Sequence, residues 1–340
     1  MRLTTLRDQL RAAGARPVHE SRILRNWLQG RGLDAGEGAE YPSRLKALSG
    51  ELEGQLAQLA RVRSAHPGAD GSSRLLLQLA DGQSIESVLL PPEGVCVSTQ
   101  VGCAVGCVFC MTGKEGLQRQ LGSAEIVAQV VLARARQAIR KVVFMGMGEP
   151  AHNLDNVLEA IDLLGTAGGI GHKNLVFSTV GDRRVFERLP EGPVKPALAL
   201  SLHTTDPALR ARLLPKAPRI DPAELVELGE RYARSTTYPI QYQWTLLAGV
   251  NDGDDELDRI VRLLKGRYAV MNFIPWNTVD GLDYRRPAAE RAAEMVRSLH
   301  RRGVLAKIRR SAGQDVDGGC GQLRARAGRA VRSVAVPAAS

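Results

Sequence analysis

The chain has 340 residues, 44% of them hydrophobic, and a formal net charge of +10. That is core material for one large domain and a small one, and no apolar run approaches the ~20 residues that a bilayer-spanning helix needs. The start, MRLTTLRDQLRAAG, is charged and amphipathic with no apolar leader core, which predicts a cytoplasmic, reducing setting with no membrane contact. The positive charge points to a polyanionic partner, nucleic acid first. Residues 301–340 carry nine Lys or Arg against two Asp, most of the net charge, while 4% aromatics leave no visible base-stacking platform.

Residues 1–66 are predicted as an accessory helical domain. Leu3, Leu6, Leu10 and then Ile23, Leu24, Trp27 and Leu28 recur at helical spacing, and Tyr41-Pro42 opens a further helix through Leu45, Leu48, Leu52 and Leu56. Its arginines form a solvated face by default and an RNA contact as the alternative. Residues 67–94 read as a β-hairpin linker, with strands Arg74–Leu79 and Ile85–Leu90 joined by Asp81-Gly82. Glu86 lies in its second strand, where a lone Glu normally faces water.

From 95 to 311 the pattern alternates. Strands are expected over Val95–Val101, Lys141–Met145, Asn174–Thr179, Ala197–Leu202, Ile240–Leu247, Ala269–Ile274 and Leu305–Ile308. Helices are expected from Ser123, from Asp155, over Ala208–Leu214, through Ile260 and Leu264, and over Ala288–His300. Such alternation predicts an α/β fold with a parallel sheet. About seven repeats with no GxGxxG motif favour a partial barrel over a doubly wound sheet. Barrel chemistry sits at the C-terminal ends of the strands, and the unusual motifs fall there: the cysteine loop, GMGEP (146–150), STVG, SLH and PWN. Residues 312–325 form a separate glycine-rich loop around Cys320, and 326–340 a basic tail.

Cys96 to Gly113 hold four of the five cysteines. Cys103, Cys107 and Cys110 follow a C-x3-C-x2-C spacing, which suits thiolate ligation of an iron–sulfur cluster with one iron left open. Structural zinc is the weaker alternative, because no second C-x2-C pair exists. Disulfides are disfavoured by the odd local number and the absent leader. Cys320, ringed by glycines, is a candidate nucleophile or redox partner. Cys96 is the other spare thiol. A transient disulfide between them and a pair of inert thiols carry equal weight on the residues alone.

The set CVSTQVGCAVGCVFCMTG, GMGEP, STVG, SLH, GVNDG, FIPWN and DVDGGCGQL resembles the RlmN/Cfr group of RNA adenine methyltransferases, within the radical S-adenosylmethionine (SAM) superfamily. The resemblance implies a partial (βα)6-type radical SAM barrel. It implies a [4Fe–4S] cluster on Cys103, Cys107 and Cys110, with SAM on the open iron. Gly148, Glu149, Ser178, Ser201, Leu202, His203 and Asn277 match SAM-contacting positions. Cys320 would take a methyl group from one SAM, and a 5′-deoxyadenosyl radical from a second would activate it for attack on an adenine carbon. Cys96 would release the product by forming a disulfide with Cys320, and Glu86 would accept the ring proton. Partners implied are RNA, with 23S ribosomal RNA first and transfer RNA second, and an electron donor of flavodoxin or ferredoxin type. Nothing demands a second copy of the chain, so a monomer is expected. Met111, Pro215-Lys216-Ala217 and His152 depart from the family pattern.

The expected reaction is methylation at adenine carbon 2. Three alternatives stand beside it: Cfr-type methylation at carbon 8, a radical SAM enzyme acting on a small molecule, and a non-catalytic RNA-binding protein with structural zinc.

Overall fold

The computed structural model describes residues 1–34, 40–114, 116–279, 281–309, 311–313 and 321–326. Three helices open the chain, α1 (Leu3–Ala12), α2 (Pro17–Leu28) and α3 (Ser43–Gln58). The leucines expected at helical spacing are the residues they bury: Leu3, Leu6, Leu10, Leu24, Leu28, Leu45, Leu52 and Leu56.

The stretch after α3 corrects the expectation of a helical domain to residue 66. Ala60–Pro67 is a strand, β1, because ARVRSAHP alternates: Arg61, Arg63 and Ala65 are exposed while Val62, Ser64 and His66 are half-buried. It pairs antiparallel with β2 (Ser73–Leu79), and β2 pairs with β3 (Ser84–Leu90) across the Asp81-Gly82 turn. The hairpin is therefore no linker. It is built into the main sheet, since β3 pairs antiparallel with β4 (Gly94–Cys96).

The expected strand Val95–Val101 is also divided. After β4 the backbone leaves the main sheet to meet the GMG turn, with Thr99 and Gln100 donating to the Met147 carbonyl at 2.8 and 3.2 Å. Gln100–Gly102 (β5) then forms a separate two-stranded sheet with β6 (Leu117–Gln120), and the short helix α4 (Met111–Lys114) lies between them. The cysteine loop is thereby lifted off the sheet and closed at its base.

The remaining elements alternate as expected: α5 (Ser123–Arg134), β7 (Lys141–Phe144), α6 (Leu154–Gly165), β8 (Leu175–Thr179), α7 (Arg183–Arg188), β9 (Ala197–Ser201), α8 (Pro207–Leu213), α9 (Pro222–Thr236), β10 (Ile240–Leu246), α10 (Asp254–Leu264), β11 (Ala269–Pro275), α11 (Ala289–Arg301) and β12 (Ala306–Ile308). Helices α7 and α9 were not expected. Yet α9 carries a plain start signal, Asp221-Pro222, with the Asp221 carboxylate accepting from the Ala223 N–H at 2.8 Å.

The main sheet runs β1-β2-β3-β4-β7-β8-β9-β10-β11-β12. It is antiparallel as far as β4 and parallel from β4 to β12. It is open, a partial barrel and not a closed one. One face buries large side chains under the helices, among them Phe144, Phe177, Tyr242, Trp244 and Phe273, each contributing about 2 kcal/mol of burial. The other face carries smaller residues, Val143, Val176, Ala197 and Ala199, with Cys96 and Met145 against them. Small side chains on the concave face leave room. The sheet curls around that room, since the Arg309 guanidinium just past β12 reaches the Met145 sulfur just past β7 at 3.6 Å.

Candidate functional site

The cysteine loop is fixed by glycine geometry and by contacts from three sides. Gly102 has φ +80, and a Cβ there would stand 1.9 Å from the Gly116 carbonyl oxygen, so the loop can close only on glycine. The Cys103 N–H donates to that oxygen at 3.1 Å, the Val108 N–H to Leu213 O at 3.1 Å, and the Lys216 N–H to Val105 O at 3.1 Å. The Trp276 indole N–H caps Phe109 O at 3.0 Å. Pro215-Lys216-Ala217, a departure from the family pattern, thus serves as the shelf under the loop. Met111, another departure, packs beside Val105, Phe109 and Trp276.

Cys103 is buried, and Cys107 and Cys110 are half-buried; all three are free thiols. Burial pushes the Cys103 thiol up to about 12, with the Glu149 and Cys110 charges adding to the rise. Cys107 is pushed well above its usual range by burial and by its neighbours Cys110 and Cys103. The three therefore lie within electrostatic reach of one another. Three thiols in mutual reach on one glycine-closed loop fit thiolate ligation of an iron–sulfur cluster, whose irons each take a separate cysteine, whereas structural zinc usually draws four protein ligands.

The strand-end motifs surround this loop. Gly148 has φ +105, and a Cβ there would meet Gln100 at 2.6 Å. That close approach lets the Glu149 N–H reach Gln100 Oε1 at 2.7 Å. The Glu149 carboxylate is buried and accepts from the N–H groups of Ala151 (3.1 Å) and Val180 (3.0 Å). Burial still raises its pKa to about 7 against these hydrogen bonds and that of Thr179. Ser178 and Ser201 are half-buried at the ends of β8 and β9, whereas Leu202 is fully buried in the core. His203 has a left-handed backbone, φ +61, which is costly for a non-glycine residue and typical of functional sites. Its Nδ1 accepts from the Thr245 N–H at 3.0 Å, leaving the proton on Nε2. Its ring meets Phe109 edge-on at 4.9 Å between centroids. Burial, then Arg210, pushes its pKa down to about 3, so it is neutral.

A cavity of about 300 Å³ opens on the concave face. It brings together Cys96, Cys110 and Asn277 of the expected site with Arg74, Met145, Thr245 and Arg309. Gly148, Glu149, Ser178, Ser201, Leu202 and His203 do not line it. Asn277 Oδ1 accepts from Arg286 at 2.7 Å. The sheet register places Arg74, Val88, Cys96 and Val143 side by side in successive strands.

Glu86, expected to face water, is instead fully buried, 3.4 Å from the buried guanidinium of Arg74. Its other oxygen accepts the Arg324 backbone N–H at 2.9 Å. Arg74 also donates to the Ala312 carbonyl at 3.2 Å, and the Gly313 N–H reaches Asp70 at 3.0 Å. Gln322 holds the Thr278 carbonyl at 2.7 Å. Cys320 itself, with Arg329 and Arg332 of the basic tail, lies outside the described residues. The chain on either side of Cys320 is pinned at the cavity rim.

Sequence reasoning missed Arg74, Asp70 and Arg309. The signal for Arg74 was a charge on the inward phase of an otherwise apolar strand, SRLLLQL.

Residues 97–264 match the family model described as the Radical SAM superfamily. A probable RNA methyltransferase of Aromatoleum aromaticum is 72% identical over 329 residues, 96% of this chain and 93% of the relative. One of Methylibium petroleiphilum is 72% identical over 330 residues, 96% of this chain and 94% of the relative. The crystal structure of a radical SAM methyltransferase from Sphaerobacter thermophilus superposes with a TM-score of 0.82 at 32% identity, covering 95% of this chain and 97% of the other.

Proposed function

The chain belongs to the radical SAM superfamily, and from that premise we infer that it is a SAM-dependent RNA methyltransferase acting at carbon 2 of an adenine, with 23S ribosomal RNA as the substrate and transfer RNA as a second target. The printed names of its relatives support the RNA methyltransferase class. The observation that carries the finer reading is the cavity: Cys96 and a cluster-loop cysteine share it, and both flanks of Cys320 are tied to its rim.

Cys103, Cys107 and Cys110 would hold the [4Fe–4S] cluster, and Gly148, Glu149, Ser178, Ser201, Leu202, His203 and Asn277 would seat SAM. When bound, the pair supplies a methyl group and one-electron chemistry. Carbon 2 of adenine is electron-poor and does not attack a methyl donor directly, so the chain must present the methyl carbon itself, on the sulfur of Cys320. The base leaves its stack to enter the cavity. Glu86, paired with Arg74 at 3.4 Å, would accept the ring proton. Cys96, as a thiolate, would then bond to the Cys320 sulfur as the sulfur–carbon bond breaks, the bonding pair and a proton going to the product carbon. An external dithiol would return the disulfide to two thiols by exchange, and a flavodoxin- or ferredoxin-type donor would supply the single electrons that the cluster chemistry needs. Basic residues toward the C-terminus contact phosphates. Among the described residues no helix is long and apolar enough to cross a membrane, and we place the enzyme in the cytoplasm as a monomer.

The test is anaerobic protein, reconstituted with iron and sulfide, given SAM, dithionite and RNA. The expected products are 5′-deoxyadenosine and 2-methyladenine by mass spectrometry of digested RNA. Finding 8-methyladenine would move the reading to the Cfr-type reaction, and finding neither would overturn both.

A further inference from the structure

Arg309 follows the last strand, and its backbone N–H donates to Phe273 O at 2.7 Å. Its side chain crosses the open side of the curled sheet to Met145, and it lines the same cavity as Cys96. Among the described residues it forms no ion pair. Glu86, the carboxylate paired with the cavity-lining Arg74, is already engaged by that guanidinium and by the Arg324 N–H. A half-buried guanidinium without a counter-charge is costly, and such a group is stabilised by an anion forming in front of it. The ionisable group it acts on is Cys96.

Cys96 has the complementary need. Burial pushes its thiol up to about 11, while the Met145 backbone, Arg309 and Arg74 pull it back and Glu86 opposes them. These groups come from every side of it: Met145 after β7, Arg309 after β12, Arg74 on β2 and Glu86 on β3. Arg74 is shared with Glu86, so its charge is largely spent. Arg309 carries the cation left over.

We propose that Arg309 is a positioning residue that holds the Cys96 sulfur as the thiolate that attacks Cys320. The proposal rests on the resolving role given to Cys96 above. Thiolates and not thiols attack sulfur. When RNA covers the cavity and water leaves, the attraction between guanidinium and thiolate strengthens, so the nucleophile forms where and when it is needed.

The experiment follows iodoacetamide alkylation of Cys96, resolved at the peptide level by mass spectrometry, on full-length anaerobically reconstituted protein from neutral to alkaline pH. Arg309→Met should raise the apparent pKa of Cys96 by about one unit, which is roughly tenfold slower alkylation at a fixed pH below it. Arg309→Lys should restore most of the rate. If the Met variant loses its fold by circular dichroism, Arg309→Gln carries the same expectation. An unchanged Cys96 profile in a folded, charge-free variant overturns the proposal. So does an unchanged profile with weakened, less salt-dependent RNA binding, which would make Arg309 a phosphate contact. Failure of the resolving role reads out separately, as free methylated RNA released by a Cys96→Ala protein, and leaves the alkylation result intact.

Discussion

Arg74 and Glu86 face each other from neighbouring strands at 3.4 Å, and between them they grip the chain on both sides of Cys320, at the Ala312 carbonyl and at the Arg324 N–H. One ion pair thus joins the residue read as proton acceptor to the segment read as methyl carrier. Both side chains are almost fully buried, so removing either partner strands the other without water.

Arg74→Met is therefore expected to lower stability by about 3–5 kcal/mol, the usual cost of leaving a buried charge unpaired. Glu86→Gln keeps an acceptor for the Arg324 N–H but cannot take a proton as a carboxylate does. It should fold, bind SAM and lose about 10²–10⁴-fold in methylation rate. Urea melts and single-turnover kinetics separate the two effects. A Glu86→Gln protein with normal turnover would remove Glu86 from the mechanism.

Glu149 gives a pH signature. Its pKa in the folded, ligand-free chain is about 7, raised chiefly by burial. In the unfolded chain it ionises near the usual ~4.3. Between those values the folded state binds the extra proton, so this contribution is fully present at low pH and is lost as pH rises through 7. The expected size is about 4 kcal/mol at most. Denaturation midpoints at several pH values should show that decline in the wild type relative to Glu149→Gln. Parallel curves would refute the assignment. A bound ligand ammonium would depress this pKa and flatten the slope.

The cysteine loop makes a prediction of opposite sign. Cys103 and Cys107 are held protonated by burial and by one another, while cluster ligation needs thiolates. Loading should therefore release protons and proceed faster as pH rises. Proton release, followed with a pH indicator during anaerobic reconstitution, checks the sign, and a pH-independent rate would contradict it.

Gly102→Ala should break the loop's closure. The left-handed backbone alone costs about 1–2 kcal/mol for a residue with a Cβ, and the clash with Gly116 O comes on top. We expect iron content per chain to fall severalfold while far-ultraviolet circular dichroism stays close to wild type. Full iron loading would show that the loop can close by another path.

Cys96→Ala should accumulate a covalent protein–RNA adduct, seen as a shifted band that ribonuclease removes. Recovery of free product alone would count against the disulfide-forming step.

Much of this was legible in the sequence, for local reasons. The parallel strands announce themselves because burial on both faces demands apolar runs, as in KVVF and ALALS. The cysteine set is local, and its spacing carries its own chemistry. What was not legible depends on how distant segments meet. Glu86 looked solvent-facing because alternation tells the phase of a strand but not which face the rest of the chain covers. Arg309 and Met145 are more than a hundred residues apart, and only the curl of the sheet brings them into contact. Strand β1 was hidden by leucines whose helical spacing runs up to it, although its own alternation marks it. Helix α9 is marked locally by its Asp221-Pro222 start.

The shared register of Arg74, Val88, Cys96 and Val143 acts as a ruler laid across four strands, each step being a strand spacing of about 4.8 Å. The arginine and the thiol sit at fixed marks on it, and the acid, Glu86, lies two residues from Val88 along the same strand. A substitution alters one mark. An insertion or deletion of a single residue in the Asp81-Gly82 turn, or between Leu90 and Gly94, shifts the whole scale and turns every inward side chain beyond it to the outer face. Chains descended from a common ancestor should therefore differ freely in composition through this region and hardly at all in length.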